Sequence, residues 1–399
     1  MDSASPASTL FGQSRLDGLT VSGTVRFAAK ARELREAGRR IYSLGFGEPS
    51  IPTPPHIIEA TYAAMKEGLT RYSNSPGLPE LRQAITEKLL AENGLAYEAD
   101  EIVVTPGAKN ALHLAMSSLL RTGDEVVNLV PAYVSYEPIA RLAGPGVVVK
   151  SVPLRTADHR LDAGALDAAL GPRTRMILYN SPHNPTGRVF PQADIEALAE
   201  RCVERDLLLV SDEIYEALNY GETQHVSPAT LDGMRERTIV VNGFSKAFAM
   251  TGWRIGYMAA PRELLGGVLK MHSHTNTNTC TFIQKGAVAA LRGPQDHLPA
   301  LRDSLRRNRD HLMRAIAGQS LLAVSPPEGG LFAFADIRKA GMASEEFCVR
   351  LLDETGVALT PGSVFGVEGF ARVSLANTEE ETVAGIDRLV SFAQERERS

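Results

Sequence analysis

A chain of 399 residues exceeds what one small core needs, and its 44% hydrophobic and 22% charged content is that of a soluble globular protein with room for two domains. A formal net charge of −5 with scattered basic residues excludes a nucleic-acid footprint and gives no attraction to an anionic membrane surface. The three cysteines, Cys202, Cys280 and Cys348, are odd in number and far apart, which argues against a disulfide framework or zinc knuckle and leads us to expect a reducing, cytoplasmic setting.

Residues 1–14, rich in Ser and Ala, read as a loose arm without the apolar core of a signal peptide, and no run approaches the length of a membrane span. Apolar positions at helical spacing over 24–37, ended by Gly38, predict a helix. A short strand is expected over 41–44. It runs into Gly45-Phe46-Gly47-Glu48-Pro49, whose glycines serve either turn chemistry or the close approach of backbone to a ligand. Residues 54–67 and 79–93 read as helices with Pro55 and Pro79 in their first turns. The polar loop between them holds Tyr72. A strand over 101–105 leads through Pro106-Gly107-Ala108-Lys109-Asn110 into a helix over 110–120. Such a loop is a potential anion site, because free backbone N–H groups and the helix dipole both point at it.

Strands over 125–130, 147–152, 174–180, 207–212 and 238–242 then alternate with helices over 133–143, 162–170 and 191–205. The strands are continuous apolar runs, the mark of a sheet covered on both faces. Strands separated by helices imply an α/β fold with a mostly parallel, doubly wound sheet. Ligands in such sheets sit beyond the carboxyl ends of the strands. Lys109, Tyr133, Asn184, Asp212 and Lys246 all lie at or just past such ends. After Ala260 the pattern changes. Long helices are expected over 262–292 and 294–317, then strands over 331–337, 357–359 and 370–375, with helices over 344–355 and 378–395. We read three parts: residues 1–48 as an arm and a segment packed on a small domain, 49–293 as a large ligand-binding domain, and 294–399 as a smaller α+β domain.

The chemistry centres on NGFSKAFAMTGWRIGY (242–257). A lysine just past a buried strand is costly to keep charged, and lowering its pKa makes a neutral amine that can attack a carbonyl. Lys246 stands in that place, although a surface lysine at a helix start would look the same. Arg254 is a planar cation suited to phosphate, or to an ordinary ion pair. A reactive amine and a phosphate clamp together point to pyridoxal phosphate. Asp212 ends an apolar strand, where it either caps local structure or keeps a pyridine nitrogen protonated. Tyr215 and Asn184 can donate to a ring oxygen, and Tyr133 offers a flat face to a ring, or packs in the interior. Arg372, inside an apolar strand, calls for a buried anion such as a substrate α-carboxylate, or for a structural ion pair. His183 reads as a turn residue. No G-x-G-x-x-G opens a helix after a strand, so a dinucleotide-binding reading fails.

Several motifs in fixed order resemble one family. They are GFGEPSIPTP (45–54), RYSNSPGLPELR (71–82), VTPGAKNAL (104–112), PAYVSY (131–136), NSPHNPTGRVF (180–190), SDEIYE (211–216), GFSKAFAMTGWRIGY (243–257), PEGGLFAF (327–334) and ARVSLA (371–376). Over nearly all of 20–395 the chain is similar to the fold-type I pyridoxal-phosphate enzymes. Within them it resembles class I/II aminotransferases of the bacterial aspartate/prephenate branch. The resemblance implies that Lys246 is the Schiff-base lysine and moves a proton at the substrate Cα. It implies that Asp212 pairs with the ring nitrogen, that Tyr215 and Asn184 contact the ring oxygen, and that Tyr133 stacks on the ring. Gly107, Ala108, Ser245 and Arg254 match phosphate-binding positions. Tyr72 matches a tyrosine that reaches the neighbouring subunit's phosphate, which implies a homodimer with shared sites. Arg372, Asn184 and the backbone at Gly47 match an α-carboxylate clamp. Lys109, Ser22 and Thr24 match positions that meet a distal carboxylate, which favours a dicarboxylic substrate such as aspartate or glutamate and 2-oxoglutarate as acceptor.

The chain departs from the branch pattern at Ala108, at Gly243, at Ser22-Gly23-Thr24 and over 272–280, HSHTNTNTC. The last two fall where side-chain specificity is set. The same fold and cofactor also support elimination, replacement, cyclisation or oxidation of an amino acid. A ligand-sensing regulator would carry an added DNA-binding segment, for which 1–20 is too short.

Overall fold

The computed structural model describes residues 19–397, so the arm expected over 1–14 lies outside the described residues. The described residues open on helix α1 (Gly23–Glu36), then α2 (Pro55–Lys66) and α3 (Pro79–Asn93). Strand β1 (Ile102–Thr105) feeds helix α4 (Ala108–Leu119). Alternation follows: β2 (Glu125–Val130), α5 (Tyr136–Ala143), β3 (Val148–Pro153), α6 (Ala163–Ala169), β4 (Thr174–Asn180), α7 (Gln192–Glu204), β5 (Leu208–Asp212), β6 (Thr238–Gly243) and β7 (Gly256–Ala259). These strands form one seven-stranded sheet in the order β1-β7-β6-β5-β4-β2-β3. Neighbours from β3 through β6 run parallel, and β7 is antiparallel to both β6 and β1. The fold is therefore α/β with a mostly parallel sheet.

The apolar strands bury both faces, and their side chains alternate. Leu208, Val210, Ile239 and Val241 pack with Leu112 and Ala115 of α4 and Ile139 of α5 on one face. Leu209 packs with Ile195 and Leu198 of α7 on the other, and Val240 packs there with Leu81 and Ile85 of α3.

Helices α8 (Arg262–Thr275), α9 (Thr281–Arg292) and α10 (His297–Ile316) lead to strands β8 (Ala323–Val324) and β9 (Phe332–Asp336), helix α11 (Ser344–Thr355), strands β10 (Thr360–Pro361) and β11 (Phe370–Ser374), and helix α12 (Glu379–Glu397). These strands form an antiparallel sheet in the order β10-β11-β9-β8. Phe27, Tyr42 and Leu44 from the start of the chain join Leu301, Leu312, Phe332, Phe347 and Leu389 in one core.

Three expectations are corrected. The strand expected over 41–44 is a single bridge, Tyr42 to Val357, and the strand expected over 357–359 begins later, at Thr360. The helix expected over 262–292 is two helices, because Asn276–Cys280 leave the helical path and Thr277 takes φ of 65°. Strand β7 has no counterpart in the expectations: at four residues, two of them in GWRIGY, it is too short to carry a period. Among the described residues no helix is long and apolar enough to cross a membrane.

Candidate active site

The carboxyl ends of β1, β4, β5 and β6 converge on a cavity of about 320 Å³. Ala108, Lys109, Tyr133, Asn184, Asp212, Tyr215, Ser245, Lys246 and Arg254 line it, so nine sequence-predicted positions meet in one space. Asp212 ends β5 facing the α4/α5 side. It is buried, and Tyr136 Oη donates to its Oδ2 at 2.8 Å while the Ile214 amide donates to its Oδ1 at 3.3 Å. Burial pushes the Asp212 carboxyl up to about 6, and the charge of Glu213 adds to that; the two hydrogen bonds pull the other way.

Lys246 follows the β6 turn, and its Nζ donates to the Gly47 carbonyl at 2.7 Å. Burial draws its amine down to about 8, with the Arg372 charge acting in the same direction and Glu48 against it. An amine drawn down to about 8 has a far larger neutral fraction at ordinary pH than a free lysine, and that fraction is the nucleophile and base.

Gly107 caps α4 at φ of 83°, with no side-chain cap on the first amides of the helix. The Asn110 and Ala111 amides turn back to the Gly107 carbonyl, and the Ala108 and Lys109 amides ahead of them are suited to an anion. Arg254 closes the other side. A Cβ at Gly107 would stand 2.6 Å from Arg254 Nη2, so the glycine is what lets the guanidinium approach the loop. Arg254 itself takes φ of 55°, and its Nη1 donates to the Thr251 carbonyl at 2.9 Å.

Arg372 lies in β11 of the small sheet, buried, with Nη1 donating to Asn184 Oδ1 at 3.0 Å and Nη2 to the Gly45 carbonyl at 2.8 Å. Its guanidinium stacks 3.9 Å over the Phe332 ring. Burial draws its pKa to about 10, which leaves it charged. Among the described residues no carboxylate pairs with it, so its charge is free for an anionic ligand.

Gly47, Ser22, Thr24 and Tyr72 are not part of the cavity lining. A Cβ at Gly47 would fall 2.3 Å from Phe332, so its backbone packs on the small sheet beside Arg372. Lys109 Nζ sits 5.7 Å above the Tyr133 ring. Ser22 and Thr24 stand at the start of α1, where their hydroxyls are 2.9 Å apart, and neither lines the cavity. Tyr72 is 86% exposed and lines a separate surface hollow with Arg71 and Asn278. His183 is buried in the 181–187 turn, its Nδ1 2.8 Å from Thr186 Oγ1, outside the cavity.

Sequence reasoning passed over Tyr136 and Asn180. Asn180 Nδ2 donates to the Asp212 carbonyl at 2.7 Å, and its Oδ1 accepts the Asn184 amide at 2.8 Å. Both left a signal: Tyr136 follows Tyr133 at one helical turn, and Asn180 is a polar end to an apolar strand, as Asp212 is.

The family model for aminotransferase class I and II matches residues 39–389. A probable aspartate/prephenate aminotransferase of Aquifex aeolicus (strain VF5) is 41% identical over 392 residues, 96% of this chain and 98% of that protein. An aspartate aminotransferase of Geobacillus stearothermophilus is 37% identical over 388 residues, covering 96% and 98%. The solved structure of Thermus thermophilus aspartate aminotransferase with maleate superposes with a TM-score of 0.90 at 38% identity, covering 95% of this chain and 99% of that one.

Proposed function

The chain belongs to the aminotransferase class I and II family, and from that premise we propose that it exchanges an amino group between aspartate or glutamate and a 2-oxo acid, with pyridoxal 5'-phosphate held beside Lys246. The observation that carries this reading is the meeting of a near-neutral amine, a buried carboxylate and an anion cradle in one cavity. These residues fit that cofactor. Gly107, Ala108, Ser245 and Arg254 suit its phosphate, and Tyr133 suits a ring face. Tyr215 and Asn184 can donate to a ring oxygen. Asp212, stripped of water, gains most from a cationic partner, so a ring nitrogen beside it keeps its proton.

When bound, pyridoxal phosphate supplies an aldehyde for the amino group and a ring that accepts the electron pair left at Cα. The chain's own residues do the rest. Arg372, with Asn184 and the Gly47 backbone, clamps the α-carboxylate and fixes which bond at Cα is exposed. Lys246 takes the Cα proton and returns it on the far side of the transfer. The charge of Lys109 suits a distal carboxylate, and Ser22 and Thr24 are assigned to the same end of the substrate. The relatives' names and the maleate bound to the Thermus enzyme support a dicarboxylic substrate for one half-reaction.

The same reading takes 49–293 as the cofactor-holding domain and 294–399, with 1–48 packed on it, as the domain that presents Arg372. It also takes the protein as a homodimer in which Tyr72, exposed in one chain, reaches the neighbour's phosphate; sedimentation of the purified protein as a monomer would refute this. Free Cys202, Cys280 and Cys348 support a cytoplasmic setting.

The test is an absorbance spectrum of protein loaded with pyridoxal phosphate, taken before and after adding L-aspartate or L-glutamate without an oxo acid. The cofactor band should convert to that of the amino form with no ammonia released, and 2-oxoglutarate should restore it after aspartate. Ammonia release would instead mark elimination, and the absence of any cofactor band would overturn the reading.

A further inference from the structure

Behind the cavity, across the sheet, lies a second buried set of charges that the proposed reaction does not use. Alternation along β5 puts Asp212 on the face of Leu208 and Val210, and Glu213 on the opposite one. Along β6, Asn242 likewise faces away from the cavity, with Val240. On this rear side Glu213 Oε1 accepts from Ser211 Oγ at 2.8 Å and Ser227 Oγ at 2.6 Å, and its Oε2 lies 3.3 Å from His225 Nε2. Glu216 meets Lys88 and Asn93 from α3. It also accepts from Asn242 Nδ2 at 2.6 Å. Asn242 Oδ1 in turn accepts the Gly243 amide at 2.7 Å. Lys88 and Glu216 are 12% and 9% exposed at their side chains, and Glu213 is fully buried.

Glu213, Glu216 and His225 bring ligand atoms close enough for a cation. Lys88 already supplies one, however, and Asn93 and Asn242 take up the same carboxylate. A metal would have to displace all three, and displacement of a buried ammonium is unfavourable. The arrangement does something else. Glu216 directly follows Tyr215, and Asn242 and Gly243 end β6, which runs into the turn that delivers Lys246 three residues after Gly243. The two loops that carry Asp212, Tyr215 and Lys246 are thus joined at the back by one carboxylate.

We propose that Glu216 is a positioning residue, which through Asn242 holds the Lys246 turn at a fixed distance from the segment bearing Asp212 and Tyr215. A charge-assisted hydrogen bond away from water is strong and directional, so it ties the end of β6 to the segment past β5, where the β5–β6 pairing has stopped at Asp212 and Val241. Lys88 neutralises Glu216 and keeps it ionised, consistent with a carboxyl held below its usual range by Lys88 and His225 against its burial. The inference rests on the proposed roles of Asp212, Tyr215 and Lys246.

Two variants test it. Glu216→Gln removes the charge at constant size. Asn242→Ala cuts the link to the Lys246 turn and leaves the Lys88–Glu216 pair. Amide exchange over 243–247 in the cofactor-free protein should quicken at least about tenfold in both. In the loaded enzyme kcat should fall about 10- to 100-fold, the range for lost supporting contacts, with KM for the amino donor within about twofold. Glu92→Gln, which pairs with Lys88 from the solvent side, should change neither. Should Glu216→Gln fail to fold, Asn242→Ala decides alone. Unchanged exchange and kcat in a variant that melts with the parent would overturn the proposal, as would an equal loss in Glu92→Gln. Lys246→Ala keeps the two readings apart: transamination surviving in it would sink the proposed function, while the exchange data would still judge the strut.

Discussion

Lys246 and Arg372 approach the same space from different sheets, and each is charged where charge is disfavoured. Burial lowers the proton affinity of both, to about 8 and about 10. The outcome differs because the groups differ: a lysine near 8 loses its proton readily and becomes a base, whereas an arginine near 10 stays a cation. Arg372 meets the Asn184 amide oxygen and the Gly45 carbonyl rather than a carboxylate. Its charge therefore waits for a ligand. Truncating a buried, hydrogen-bonded charge costs about 2–5 kcal/mol, so Arg372→Leu should lower kcat/KM for the amino acid by about thirtyfold or more. The cofactor spectrum should persist, since the role proposed for Arg372 is at the substrate end. Steady-state kinetics beside a spectrum of the same sample checks both halves, and loss of the bound cofactor would reassign the residue.

Among the elements, the start of α4 has the most exacting geometry. Its N-cap is a glycine because a side chain at φ of 83° is strained and would collide with Arg254. Gly256 in β7 serves the same contact from below, where a Cβ would stand 2.5 Å from the Ala108 amide. Gly107→Ala should therefore push Arg254 away from the first amides of the helix. We expect cofactor affinity to fall at least tenfold, about 1.4 kcal/mol, with a smaller change in melting of the cofactor-free protein. Equilibrium titration with pyridoxal phosphate measures the first and thermal melting the second; unaltered affinity would show that the loop does not hold the phosphate. The break between α8 and α9 is also an element-scale decision. Residues 262–292 read as one helix, although 272–280, HSHTNTNTC, is a polar run inside it. Tertiary partners end it: Asn276 Nδ2 donates to Asn110 Oδ1 at 2.9 Å, and Thr279 Oγ1 donates to the Val104 carbonyl at 3.1 Å.

For the whole molecule, two buried histidines set a pH dependence. Burial draws His159 to about 4, with Arg188 adding to it, and His183 to about 3, with His159 adding to it. Both are neutral in the fold but titrate near 6.5 when unfolded. From about pH 6.5 down to 4 the unfolded chain therefore binds two protons that the fold refuses. Asp212 acts oppositely, since between 3.8 and about 6 the fold keeps a proton that the unfolded chain releases. For these three groups the unfolded state binds more protons, so their contribution to stability is lost as pH falls from 6.5 toward 4. His159 has φ of 54°, which asparagine tolerates. His159→Asn should flatten the dependence of unfolding free energy on pH by about 1.4 kcal/mol per pH unit between pH 4.5 and 6. Urea titrations of the cofactor-free protein would measure it, and an unchanged slope would mean that His159 takes up its proton in the fold.

The sequence by itself determined the sheet, because continuous apolar strands between helices can be buried in few ways. It picked out Lys109, Tyr133, Asn184, Asp212 and Lys246 as well, since the ends of parallel strands lie together, while Ala108 and Ser245 were legible only through the family resemblance. The tertiary structure decided what local signals cannot carry. Strand β7 is four residues long and exists only as a partner for β6 and β1. The segment over 41–44 has one bridge instead of a strand: Tyr42 pairs beside Val357, and the Leu44 carbonyl turns to the Ser374 amide of β11. Tyr136 became a partner of Asp212 only when α5 was laid against β5, 76 residues away in the chain. Glu216, Asn242 and Lys88 lie on three separate elements. Each reads alone as an ordinary polar residue. Burial in one place makes them a charged group with a joint role, because desolvation and pairing depend on distances that only the fold supplies.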